Sequence, residues 1–204
     1  MAFTTSKKSS PSNGMILLSV QYKLVSISSG VEAKSTITWP STVSSNSSYG
    51  TITYATAHPT TFINDNIHNY DWYYTGDSST DNTRWTTSKT VKSIYDPCPA
   101  GWRVPDGGSN GIWSKAGFDD TTYDSTNEGI SFSISSPSKT WYPASGYRNS
   151  YDGSLLNVGN YGYCWSASPG GYGAYGLYFD DDGNVYPSGS SGRAGGSSVR
   201  CLQE

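Results

Sequence analysis

Apolar and polar residues alternate along the C-terminal third of the chain, most clearly over Ala174-Tyr175-Gly176-Leu177-Tyr178-Phe179-Asp180. Successive side chains of a strand point to opposite faces, so Leu177 and Phe179 share one face and Gly176, Tyr178 and Asp180 the other. The first face reads as core. The second pairs large, rigid Tyr with small, permissive Gly and a polar partner, the side-chain set of an antibody paratope. The same alternation predicts a strand over 130–134, through Ile130, Phe132 and Ile134, and further strands over 141–146, 161–167, 184–187 and 197–202. Asp181-Asp182-Gly183-Asn184 between two of these is a hairpin-turn sequence.

Upstream the pattern is weaker. Short strands are predicted over 16–20, 23–27, 35–39 and 51–55, separated by Ser/Asn/Gly turns. Residues 58–90 form an aromatic region of little periodicity, whose order has to come from packing of Trp72, Tyr74 and Trp85. In the segment 95–105, Pro97, Pro99 and Pro105 bracket an extended piece with Trp102 and Val104 on one face. A helix is predicted over about 111–118, capped by Ser109 or Asn110. The resulting organisation is a disordered polar tail (1–14), a strand-rich N-terminal arm (15–57) and a main domain (58–204).

Composition sharpens this reading. Only 14% of the 204 residues are charged, and aromatics reach the same share, with 17 Tyr and 7 Trp. Thr, Ser, Tyr and Gly favour strands and loops over helices. Tyr, Gly, Ser, Asn and Asp occupy 40 of the 60 positions from 141 to 200, which also hold nine of the 17 Tyr. A net charge of −3 without a basic stripe argues against a nucleic-acid partner. The apolar run Met15-Ile16-Leu17-Leu18 is too short to span a membrane and lacks a clean cleavage site, so neither membrane insertion nor a signal peptide is read from the chain.

Three chemistries suggest themselves. A bridge between Cys98 and Cys201 would staple the ends of the main domain, the alternative being two buried thiols, and Cys164 is left over. Asp180 and Asp182, two positions apart before Gly183, resemble half of a calcium loop; the downstream Glu is missing, and a solvated turn is the simpler reading. His58 and His68 have no cysteine beside them and no nucleophile context, so no catalytic residue, metal ligand or cofactor is assigned. Trp102, Trp113, Trp141 and Trp165 could stack on sugars, but Trp102 and Trp165 fit core positions better.

Asp96-Pro97-Cys98-Pro99-Ala100-Gly101-Trp102-Arg103-Val104-Pro105, Trp165-Ser166-Ala167-Ser168 and Ser198-Val199-Arg200-Cys201, in that order and spacing, resemble the Fibrobacter succinogenes major paralogous domain of Bacteroidetes surface proteins. The resemblance covers roughly residues 60–204. It implies a strand-rich α+β fold of C-type-lectin type, with few short helices and long ordered loops. The chain also resembles the variable proteins of diversity-generating retroelements, including phage receptor binders, which carry a hypervariable C-terminal segment on such a fold. In those systems template adenines are substituted, so that Asn codons scatter toward Tyr, Ser, Gly and Asp. The Glu-Pro-Asn and Trp-Asn-Asp signatures of calcium-dependent sugar binding are absent from this chain.

On that resemblance the variable region is about 141–200. The expected ligand-contacting residues are Ser150, Tyr151, Leu156, Tyr161, Tyr163, Cys164, Tyr172, Gly176, Tyr178, Asp180, Tyr186, Ser190 and Ser191, Leu156 and Cys164 being odd choices for a surface and less odd as products of random codon change. The expected partner is a protein or glycan on a cell surface, met outside the cell or on a virion. The competing expectation is a structural surface or fimbria-associated subunit that self-associates through a fixed Tyr/Gly face. The related formylglycine-generating enzymes use reactive cysteines, but nothing beside Cys164 would lower a thiol pKa, and no enzyme activity is expected. Alanine at Tyr178 or Tyr186 should then leave melting within about a degree or two, whereas Leu177→Ala should cost roughly 2–5 kcal/mol.

Overall fold

The computed structural model describes residues 24–25, 32–33, 41–76, 82, 96–116, 122–135 and 138–204, with 24–25, 32–33, 132–135 and 138 described by their backbone alone. The predicted tail, the strands at 16–20 and 35–39, Trp85 and the core assignments of Phe132 and Ile134 lie outside the described residues or side chains.

Leu24–Val25 (β1) and Glu32–Ala33 (β2) make a two-residue antiparallel ladder. Ser41–Ser44 (β3) lies parallel to Thr61–Asn64 (β4), with helix α1 (Ile52–Ala57) between them. The strand expected at 51–55 is therefore a helix. Its β-branched residues favour extended backbone, but a parallel pair needs a crossover that carries the chain back, and a helix does this compactly. Thr51 caps it, accepting the Tyr54 N–H at 3.1 Å. The pairing of β3 with β4 joins residues on either side of the boundary expected at 57/58.

Trp102–Arg103 (β5) precedes a single helical turn, α2 (Ile112–Lys115), shorter than predicted and started by Gly111 without a side-chain cap. Tyr123–Asp124 (β6), Gly129–Ser135 (β7) and Ser138–Pro143 (β8) form an antiparallel meander. Tyr147–Arg148 (β9) pairs with Leu155–Leu156 (β10). The main sheet is built from Gly162–Gly170 (β11), Gly173–Phe179 (β12), Val185–Ser191 (β13) and Ser198–Val199 (β14), in the order β13-β12-β11-β14, with β14 parallel to β11. The strand predicted over 197–202 divides: after β14 the chain turns away, and Leu202–Gln203 (β15) pairs with β5.

The principal core lies on one face of this sheet. Cys164, Leu177 and Phe179 pack with Trp113, Ile130 and Tyr142, all at most 7% exposed. Trp113 Nε1–H donates to the Tyr142 hydroxyl at 3.1 Å, which keeps both polar tips satisfied inside the core. Gly162 is required here, because a Cβ at that position would occupy the volume of the Phe179 ring. A second, smaller core joins Cys98, Val104 and Ala167, with Trp102, Val199 and Cys201 against it. The Cys98–Cys201 disulfide closes it, with Cα atoms 5.8 Å apart. The Asp96 carboxylate organises the proline-bracketed segment by accepting the Cys98 and Val104 N–H groups, each at 2.9 Å. The architecture is strand-rich α+β, with two short helices among the described residues.

Candidate functional site: a tyrosine cluster on the sheet face opposite the core

The sheet face opposite Leu177 and Phe179 is where the aromatic residues gather. Tyr163 on β11 and Tyr178 on β12 are direct cross-strand partners, and Tyr186 on β13 lies opposite Tyr178. Cross-strand side chains on one face touch, and here the rings do, with Tyr163 and Tyr178 centroids 4.7 Å apart. Tyr147 from β9 approaches Tyr163 at 4.6 Å, and Tyr161 lies 6.2 Å from it, nearly parallel. Tyr163 is the hub of this cluster. Burial pushes its phenol up to about 12, and neighbouring Tyr147, Tyr161 and Asp180 push the same way, so the Tyr163 hydroxyl stays protonated at ordinary pH. Farther along the same face Trp165 and Ala167 are buried, at 2% and 1% exposure, whereas Tyr147, Tyr161, Tyr163 and Tyr178 are half-buried and Tyr186 is exposed.

Tyr178 is correctly placed on this face by the alternation but is not freely displayed. Its ring lies across Gly189, where a Cβ would collide with it, and against Gly176. Its hydroxyl is enclosed: Ser191 lies near without completing a hydrogen bond, and burial pushes the phenol pKa up. Gly176 is a buried spacer rather than a contact residue, because a Cβ there would meet the Cys164 carbonyl oxygen at 2.7 Å.

Two further expected contacts point elsewhere. Cys164 faces the principal core, and burial pushes its thiol up to about 12. Its side chain follows the parity of Leu177, with which it pairs. Asp180 is 7% exposed and holds the β12–β13 turn. Its carboxylate accepts from the Asn184 N–H at 2.9 Å and from the Asn184 side-chain amide at 3.1 and 3.0 Å. That geometry explains an acidic residue before the turn without a cation. Asp182 is exposed, Asp181 accepts from Asn160, and among the described residues no three potential ligands converge on a metal position.

The remaining expected residues scatter. Tyr151 is 54% exposed and Tyr186 53%. Tyr172 is 70% exposed at the β11–β12 turn, at the far end of those strands from Tyr163. Ser190 donates to the Gly170 carbonyl at 2.9 Å, Ser191 is partly buried, and the Ser150 carbonyl accepts the Asp65 N–H at 2.8 Å. Leu156 is partly buried beside Tyr147, and it is Leu155, 37% exposed, that faces solvent.

Two tyrosines of the surface were not among the expected contacts. Tyr147 falls just beyond a predicted strand, and its place became evident only with its contact to Tyr163. Tyr70 lies far upstream in sequence, yet its ring sits 5.5 Å from Tyr151. Asn69 and Tyr70 both have left-handed backbone, with φ of 61° and 56°, a conformation that costs a non-glycine residue of order 1–3 kcal/mol. Neighbouring groups hold it. The buried Asp65 carboxylate accepts from the Ile67 and His68 N–H groups and contacts His68 Nδ1 at 3.0 Å. The Tyr70 carbonyl accepts the Ala194 N–H at 2.7 Å, and Arg193 pairs with the buried Asp71 at 3.1 Å. Gly192 leaves room for the Tyr70 Cβ, which a side chain there would strike. Arg193 and Arg148 also donate to the Gly173 and Gly153 carbonyls, so these guanidinium groups brace loops. Comparison of the chain with protein-family models, curated proteins and solved structures finds no match.

Proposed function

We propose that this chain is a non-enzymatic binding module whose scaffold is of C-type-lectin type, and that it is the target of a diversity-generating retroelement. Its ligand is a protein or glycan on a cell surface, met outside the cell or on a virion. The observation that carries the reading is the ring-linked, half-buried cluster Tyr147–Tyr161–Tyr163–Tyr178 on the sheet face opposite the principal core, bordered by exposed Tyr186. Tyrosine gives a large contact area at low entropy cost, and a few such anchors dominate the affinity of an interface. Tyr178, whose ring covers Gly189, is part of the scaffold; the other tyrosines of this face have neighbours in the sheet rather than the core, and their exchange should leave the fold intact.

The structural-subunit reading requires self-association through the Tyr/Gly face, and strand addition at the β13 edge, a separate route to assembly, is not favoured. The outer strand β13 carries Pro187 in its interior, where the missing N–H and fixed φ blunt strand addition. The binding reading is tested with a displayed library in which Tyr147, Tyr151, Tyr161, Tyr163 and Tyr186 are replaced at random by Tyr, Ser, Gly, Asn and Asp. Most members should fold, and selection against an unrelated soluble protein should recover binders. A library that is mostly unfolded would contradict the reading, as would sedimentation showing the parent chain assembled at micromolar concentration through this face.

A further inference from the structure

We propose that Tyr70 and Tyr151 are an oxidative cross-linking pair, joined by peroxide into an intramolecular dityrosine. The inference rests on observations separate from the binding reading, with Tyr151 common to both. The two rings lie 5.5 Å apart at 57° to one another, and their hydroxyl groups meet at 3.4 Å. In a phenol the carbons that couple are those flanking the hydroxyl-bearing carbon, so the hydroxyl contact sets the reacting edges of the two rings near one another. The bond formed joins rings that are twisted about it, so the observed tilt suits the product better than parallel stacking would. Both residues are open to a soluble oxidant, at 41% and 54% exposure.

Both are also held. Tyr70 is fixed by its left-handed backbone, by the Ala194 hydrogen bond and by the space over Gly192. Tyr151 sits on a tight turn, its N–H donating to Asn149 Oδ1 at 2.9 Å and the Gly153 N–H to the Asn149 carbonyl at 2.8 Å. Holding two reactants in a near-attack arrangement gives the internal reaction a large advantage over encounters between chains. Tyr163 comes closer to its ring neighbours, but it is partly buried, and the Tyr178 hydroxyl is enclosed without a partner. Tyr172 is the most exposed tyrosine described and takes part in no ring pair among the described residues.

In the coupling each phenol gives up one electron and its hydroxyl proton, and the two phenoxyl radicals form a carbon–carbon bond between their ortho positions. The two ring hydrogens then move to the oxygens and restore both phenols. Hydrogen peroxide accepts the two electrons and two protons and becomes two molecules of water. The product would tie the segment containing Tyr70, which lies outside the loop closed by Cys98–Cys201, to a turn inside that loop.

The test treats the full chain, dilute enough to be monomeric, with a haem peroxidase and hydrogen peroxide. Dityrosine fluorescence should appear in the monomer fraction with a mass loss of two hydrogens, and proteolysis should yield one fragment linking Tyr70 to Tyr151. Y70F and Y151F, each confirmed folded by circular dichroism, should drop to background, while Y172F should retain the full yield. Dityrosine found only between chains, an unlinked monomer, or undiminished yield in Y70F would overturn the proposal.

Discussion

Removing the hydroxyl of Tyr178 should not weaken the protein. That oxygen is enclosed on the sheet face and has no hydrogen-bond partner, although the ring beneath it covers Gly189 and meets Tyr163 at 4.7 Å. Folding strips water from the group and returns nothing, a cost of about 1–3 kcal/mol. Tyr178→Phe keeps the ring and abolishes that cost, so stability should hold or rise by about 1 kcal/mol, which moves melting by about 2–4 °C in a chain of this size. Tyr178→Ala removes the ring as well, uncovers Gly189 and leaves a void beside Tyr163, and should cost about 2–4 kcal/mol. This replaces the expectation, drawn from alternation alone, that alanine at 178 changes binding but leaves melting within about a degree or two. That expectation still applies to Tyr186, which is half exposed at the outer strand. Urea denaturation of the wild type, Y178F, Y178A and Y186A decides the matter. A loss of more than about 1 kcal/mol in Y178F would mean that the hydroxyl is hydrogen-bonded in solution, and the argument would fail.

Three other outcomes are expected. Replacing Cys98 and Cys201 by Ser opens a loop spanning 103 positions and should cost about 4–5 kcal/mol by loop-closure entropy, read from the urea midpoint. Cys164 should resist alkylation in the native protein near pH 8 and react after unfolding. Its folded pKa is raised from about 9 to about 12, so its contribution is complete below about pH 9 and is lost as pH rises toward 12. Stability should fall there by about 1.4 kcal/mol per pH unit from this group, a slope reduced in Cys164→Ala. Asp180→Ala should cost about 2–3 kcal/mol through the lost turn bonds, and calcium should leave the melting of the parent unchanged, as measured by calorimetry.

Much of the sheet was legible because its information is local. Leu177 and Phe179 declare their face by period, Asp181-Asp182-Gly183-Asn184 declares a turn, and Trp102 and Val104 sit between prolines that exclude helix. Pairings distant in sequence were not legible. Nothing in Ser41–Ser44 announces a parallel partner at Thr61–Asn64, and so nothing announced the helix that links them. The candidate surface was legible as to face and not as to depth. Alternation puts Tyr178 and Tyr163 on one side, but whether a ring stands out or lies down depends on a glycine in the next strand, here Gly189. Cys164 and Asp180 were misjudged for related reasons: the parity of Cys164 is that of its partner Leu177, and Asp180 is claimed by Asn184 four residues later. Tyr70 carried no sequence signal, because left-handed backbone at a tyrosine is imposed by Asp65, Gly192 and Ala194 from outside its own segment.

The central claim is that the fold and the tyrosine surface are separable. The most direct test is to sequence the codons for residues 140–204, with the flanking locus, across a natural population. The account predicts adenine-derived substitutions at Tyr147, Tyr151, Tyr161, Tyr163 and Tyr186, invariant codons for Gly162, Leu177, Phe179 and Asn184, and a near-copy template beside a reverse transcriptase gene. Tyrosine codons as fixed as those of Leu177 and Phe179 would contradict it and leave the face with a single constant partner.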